Sequence, residues 1–295
     1  MEIRLSTGMS IRVALVCLAI AKACQSLQAE SELHFRLVDS TLIVIALNSD
    51  RGSSFDFVLD TGTDTTVVDP AIASKLSFVP KDRIEVVSLS GMHSVLRGSI
   101  PALSAGSSRV NDVQVLLQDL PELRRLDSHI AGILGQNFLS HFNYLLDYRR
   151  HVVRFESGNE VRDTIDGDHV AIVSKEDRMM VASEAQSRAS ARLRLVLDSG
   201  ADSLVLLRTA SETLHVPRQA PSLQVTSGGQ VEMQAGIVRT LTVGSEKFHD
   251  ITAILPEVEP HVSMGDGLLP TILFRTLYVN NHEGFVVFNP RTRKN

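Results

Sequence analysis

A mostly-β protein of two homologous β-barrel-like lobes is predicted by three features of the sequence. A long pattern occurs twice in the same order, which makes the architecture a duplication. Between its anchor points run short Val-, Ile- and Leu-rich segments broken by Gly, Pro, Ser and Asp, the pattern of strands and turns. The 295 residues, 43% hydrophobic and 21% charged, suffice for two domains of ordinary size.

The first element is a leader. Charged residues Glu2, Arg4 and Arg12 precede the apolar run Val13 to Ala21, with small residues for cleavage after Ala23 or Ala29, so residues 1–29 are expected to be a signal peptide and the protein exported, to a periplasm or outside the cell. The run is too short to span a bilayer, which takes about 20 apolar residues, so no stable membrane span is expected. Lys22 argues against lipidation at Cys24. Both cysteines, Cys17 and Cys24, sit in or beside this leader, so a chain cut after Ala29 has no disulfides.

The duplicated lobes follow, placed at 31–158 and 168–295 with a polar linker at 159–167. The first copy reads Phe55-Asp56-Phe57-Val58-Leu59-Asp60-Thr61-Gly62-Thr63-Asp64, and the second Leu193-Arg194-Leu195-Val196-Leu197-Asp198-Ser199-Gly200-Ala201-Asp202. Further on, Ala131-Gly132-Ile133-Leu134-Gly135 matches Asp266-Gly267-Leu268-Leu269-Pro270, and Tyr144 to Phe155 matches Tyr278 to Phe288. Helical signal is thin. Leu120 to Leu126 and Ser203 to Leu214 each predict a short helix, the second closed by Pro217.

Each lobe ends a strand in Asp-[Thr/Ser]-Gly, which delivers a carboxylate at a tight turn where Gly lets the backbone approach a ligand. Two such carboxylates on a pseudo-twofold axis, in a cleft between the lobes, share one proton, because like charges so close do not both ionise cheaply. The ionised member takes a proton from water and the neutral one donates to a substrate carbonyl, with no cofactor or metal.

At these motifs the chain resembles the retropepsin-like and pepsin-like aspartic peptidases over nearly its whole mature length. Leu59-Asp60-Thr61-Gly62, Ile133-Leu134-Gly135 and Asn137-Phe138-Leu139 carry the likeness, and duplication supplies the single-chain bilobal arrangement of acid-protease type. The resemblance implies an endopeptidase with Asp60 and Asp198 as the catalytic pair. It also implies that the Thr61 and Ser199 hydroxyls reach the opposite lobe's backbone, that Gly62 and Gly200 floor the cleft, and that a hydroxyl at Thr63 donates to Asp60. Flaps over the substrate are expected at Ser90-Gly91-Met92-His93 and Ser227-Gly228-Gly229-Gln230; neither has the Tyr of a pepsin flap.

Two departures stand out. Gly135-Gln136-Asn137 replaces Gly-Arg-Asn, so the ion pair that Arg makes to the Asp matching Asp64 is expected to be missing, leaving Asp64 and Asp202 as substrate-backbone contacts or solvated surface groups. Pro270 replaces Gly135 and removes a backbone donor, which predicts a kinked strand or lost activity. A second class therefore stays open, a peptide-binding protein that kept the cleft without turnover; both intact Asp residues favour catalysis. A glycosidase using two unrelated carboxylates is a third.

Other partners are disfavoured. Net charge is −5 with no long basic run, against nucleic acid. The ten histidines form no His-Glu-x-x-His, and there is no Gly-x-Ser-x-Gly elbow. A peptide or protein substrate and a monomeric chain are expected.

Overall fold

A computed structural model describes residues 32–88, 91–158, 160–175, 178–226, 229–257 and 264–293. The expected leader at 1–29 lies outside them. In the first half the strands are β1 (Glu32–His34), β2 (Arg36–Val38), β3 (Leu42–Ser49), β4 (Ser54–Leu59), β5 (Thr66–Val68), β6 (Val79–Ser88), β7 (Gly91–Ala105), β8 (Ser108–Leu117), β9 (Ile130–Leu134), β10 (Asn143–Asp147) and β11 (Val152–Glu156). The second half contributes β12 (Ile165–Asp166), β13 (Val170–Lys175), β14 (Arg178–Gln186), β15 (Ser190–Asp198), β16 (Leu204–Leu206), β17 (Arg218–Thr226), β18 (Gly229–Val243), β19 (Glu246–Leu255), β20 (Gly267–Pro270), β21 (Thr276–Asn280), β22 (Phe285–Phe288) and β23 (Arg291–Thr292).

The two halves repeat one topology. Strand order is β3-β4-β9-β5-β8-β7-β6 in the first and β14-β15-β20-β16-β19-β18-β17 in the second. Extra pairings of β3 with β7 and of β14 with β18 close each sheet toward a barrel, so the ends of β3 and β14 at Asn48–Ser49 and Glu184–Gln186 are paired rather than left as open edges. Tight turns are matched too: Gly106 and Gly244 both take positive φ in the hairpins between β7 and β8 and between β18 and β19, a conformation glycine adopts without strain.

Local sequence accounts for these strands. Along β14, residues 181–186 alternate between buried and exposed, Val181, Ser183 and Ala185 facing inward, as a period of two dictates for a half-covered strand. By contrast β9 is buried throughout, because it lies between β4, parallel to it, and β5, antiparallel to it. Gly132 permits that fit: a Cβ there would come within 2.2 Å of the Phe57 ring. In the second half β20 lies in the same way between β15 and β16, and a Cβ on Gly267 would meet the Val205 carbonyl at 1.9 Å.

The halves are joined by a shared sheet ordered β1-β11-β10-β21-β22-β13. Tyr144 pairs with Val279 and Leu145 with Tyr278. Because Tyr144 and Tyr278 are counterparts in the repeat, the pseudo-twofold axis runs between these two pairs. Both tyrosines are fully buried, as are Leu146 and Leu277, so apolar packing and ladder hydrogen bonds hold the halves together. The polar segment after β11 is also tied down: Glu156 accepts from the Val161 amide at 2.6 Å and from the Tyr278 hydroxyl at 2.7 Å, and β12 pairs with β23.

Helices are few and short: α1 (Pro121–Leu126), α2 (Gln136–Leu139) and α3 (Arg208–Thr213). The helix expected over Ser203 to Leu214 is corrected at its start. Leu204, Val205 and Leu206 form β16, all buried, because this apolar run is needed between β20 and β19. No helix among the described residues is long and apolar enough to cross a membrane.

Candidate active site

The two Asp-[Thr/Ser]-Gly turns meet on the pseudo-twofold axis. Asp60 directly follows β4, its amide donating to the Leu134 carbonyl at 3.0 Å, and Asp198 ends β15.

Four reciprocal hydrogen bonds lock the turns together. The Thr61 hydroxyl donates to the Leu197 carbonyl at 2.8 Å and accepts from the Ser199 amide at 2.9 Å. The Ser199 hydroxyl does the same in reverse, donating to the Leu59 carbonyl at 2.8 Å and accepting from the Thr61 amide at 3.0 Å. Thr61 is fully buried and Ser199 nearly so, so losing either hydroxyl strands buried polar groups of the other half. Gln136, also buried, adds a bond from Nε2 to the Thr61 carbonyl at 2.6 Å.

Within this frame the carboxylates lie against each other's loops. A Cβ on Gly62 would sit 2.5 Å from the Asp198 carboxyl carbon, and one on Gly200 would sit 2.8 Å from that of Asp60. Glycine is therefore required at both positions by close approach. The carboxylates are held differently. Asp60 accepts from the Gly62 amide on Oδ1 at 2.8 Å and from the Thr63 hydroxyl on Oδ2 at 2.6 Å. Asp198 accepts twice on the same oxygen, Oδ1, from the amides of Gly200 at 2.7 Å and Ala201 at 3.1 Å. Asp198 is 8% exposed. Burial raises its pKa well above the ordinary carboxylate value of 3.8, with the Asp60 charge pushing the same way.

Asp64 is neither a solvated surface group nor unpaired. Arg178, the first residue of β14, reaches across from the other half and grips it with Nε at 2.8 Å and Nη2 at 3.0 Å. Sequence reasoning missed this partner because it looked for a cation only at the position that Gln136 occupies. The registers show where the signal lay: Val44 opposite Val58 matches Met180 opposite Val196, so Arg178 occupies the position of Leu42. Asp202, the counterpart of Asp64, is exposed and makes no ion pair with another described residue.

The expected kink at Pro270 does not occur. β20 stays in register with β15 through Pro270, which lies opposite Asp198. In the first half the Gly135 amide donates to the Thr66 hydroxyl at 3.2 Å, and Thr66 in turn bonds Asn137 Oδ1. The second half replaces Thr66 by Leu204 and Asn137 by Ile272, so the acceptor disappears together with the donor and proline strands nothing.

Of the flap candidates, Gly91 and Met92 open β7, opposite Ser88 and Val87 of β6, with Met92 64% exposed. Gly229 opens β18 opposite Thr226. Ser90, Ser227 and Gly228 lie outside the described residues. No hydrogen bond among the described residues ties these hairpins to the carboxylates. No group of three or more His, Cys, Asp or Glu is placed to hold a metal among the described residues.

Comparison with known proteins agrees with this architecture. A family model described as "Aspartyl protease" matches residues 46–138 and again residues 187–271, once in each half. No curated protein gives a significant match.

Proposed function

Since the chain belongs to the retropepsin-like aspartyl protease family and is thereby a peptidase-type hydrolase, we propose that it is an endopeptidase whose water is activated between Asp60 and Asp198. The observation that supports this reading is the reciprocal lock of Thr61 and Ser199, which holds the two Asp-bearing turns against each other. Ionised Asp60 takes a proton from a water between the acids while the water oxygen bonds the scissile carbonyl carbon. Protonated Asp198 donates to the carbonyl oxygen as it gains charge. Collapse of the tetrahedral intermediate breaks the C–N bond as the C=O re-forms: the proton held on Asp60 passes to the leaving amine, and ionised Asp198 takes back a hydroxyl proton, restoring the starting state.

Roles are assigned by environment. Thr63 and the Gly62 amide stabilise charge on both oxygens of Asp60, whereas the desolvated Asp198 favours its neutral form. Replacing Thr63 by Ala removes a hydrogen bond to an ionised group, worth about 1.5–3 kcal/mol before solvent compensation. The acid limb of kcat/KM, a property of the coupled pair, is expected to move to higher pH by about one unit. A pH–rate profile on one peptide checks this; an unmoved acid limb would remove the asymmetry and leave the peptidase reading in place.

The reading itself is tested with a peptide whose scissile carbonyl is replaced by a secondary alcohol. Such a mimic of the tetrahedral state is expected to bind at least about 100-fold tighter than the substrate. Chelators are expected to change nothing, and specific activity to stay constant on dilution, because one chain holds both acids. Loss of activity in EDTA with recovery on adding zinc would overturn the proposal. The leader-like residues 1–29 support an exported enzyme acting on peptides or proteins.

A further inference from the structure

Next to the second carboxylate the two halves meet through a pair of buried hydroxyls. Tyr148 directly follows β10, and its Oη lies 2.5 Å from Oγ1 of Thr271. Tyr148 is 8% exposed and Thr271 fully buried. Thr271 is the next residue after Pro270, which lies opposite Asp198 in the β15–β20 ladder. The Tyr148 amide donates to the Arg275 carbonyl at 3.0 Å, so the tyrosine is anchored to the same segment through its backbone as well. Burial, and then the charge of Asp198, raise the pKa of the phenol. Asp60, whose charge acts on Asp198, and Tyr148, on which the Asp198 charge acts, are titratable neighbours of this carboxylate.

The repeat explains why the second half has this brace. Thr271 follows Pro270 as Gln136 follows Gly135. Gln136 uses its long amide to hold the backbone just past Asp60, bonding the Thr61 carbonyl. A threonine side chain is shorter by the two atoms that matter for that reach. Its hydroxyl goes instead to Tyr148, a residue of the opposite half.

We propose that Tyr148 is a positioning residue for Asp198: by clamping Thr271 it fixes the strand end on which the second carboxylate rests and keeps water from reaching that carboxylate from behind. Its role rests on the peptidase reading for the kinetic half of its test only.

Tyr148→Phe keeps the ring and removes the bond, Thr271→Val removes it from the other side with the same shape, and Thr271→Ser restores a hydroxyl. The first two are expected to lower kcat about tenfold, the scale of a small misplacement of a reacting group, with KM within about twofold. The double variant is expected to be no worse than either single one. Water reaching Asp198 relaxes its raised pKa, so the alkaline limb of the profile moves to lower pH. Thr271→Ser is expected to return both kcat and the limb close to wild type. A second readout needs no substrate. Asp198→Asn is expected to raise unfolding stability at neutral pH, and that gain shrinks in the Tyr148→Phe background, as in the Thr271→Val background, because the carboxyl it removes is already better hydrated. An alkaline limb and an Asp198→Asn gain that both stay put would overturn the role, whatever happens to Tm, and so would Thr271→Ser behaving like Thr271→Val. If no peptide is cut but the stability gain shrinks as described, the peptidase reading fails and the positioning role stands.

Discussion

Asp198→Asn is expected to abolish peptide hydrolysis while making the protein more resistant to unfolding at neutral pH. Loss of the proton donor removes general acid–base catalysis, worth about 10²–10⁴-fold. Asparagine keeps an Oδ1 acceptor for the Gly200 and Ala201 amides, so the turn survives. The stability gain follows from the direction of the pKa shift. Native Asp198 holds its proton above the unfolded value of 3.8, so the native state binds more protons than the unfolded one over that interval. Stability therefore falls as pH rises from the unfolded pKa through the folded one. An uncharged Asn does not undergo that fall. The difference between mutant and wild type is expected to be greatest at neutral pH and to vanish below the unfolded carboxylate pKa, as followed by urea unfolding from acid to neutral pH. Asp60→Asn is expected to be equally inactive. Substantial turnover in either variant would end the assignment of the pair.

Breaking the ion pair between the halves is expected to have the next largest effect, and it depends on which partner is removed. The Arg178 side chain is 9% exposed, that of Asp64 31%. Asp64→Asn leaves a buried guanidinium without its counter-charge, which costs about 3–5 kcal/mol. Arg178→Met fills the space of the stem and leaves a carboxylate that water reaches in part, for a loss of about 1–2 kcal/mol after allowance for that solvent. Equilibrium unfolding in urea at pH 7, near the plateau of carboxylate ionisation, compares the two directly. Equal losses, or Arg178→Met as the worse of the pair, would show that burial of the guanidinium is not what sets the energetics.

The repeat in the sequence was enough to place two similar sheets and to bring each Asp to the end of a strand, because both depend on local pattern: an apolar run, then an Asp-[Thr/Ser]-Gly turn. Arg178 was illegible for the opposite reason. It lies 114 residues from Asp64, and nothing in its neighbourhood distinguishes it from a surface cation until the register of β14 against β15 is known. Pro270 misled in the same way. Its missing amide looks damaging alone and harmless once Leu204 is seen to stand where Thr66 would accept. Leu204 to Leu206 was read as helix because a short apolar run fits either period, and only its burial between two strands decides.

The shared sheet also sets the order in which the two acids can meet. The first half cannot finish its own interface, since β10 needs β21 (Thr276–Asn280) beside it, and β21 follows β15, the strand that carries Asp198. During synthesis the segment carrying Asp60 emerges long before the strands that bring Asp198 to meet it. Translation order thus acts as a delay: a nascent chain that has released β4 but not yet β15 and β21 holds one acid without its partner.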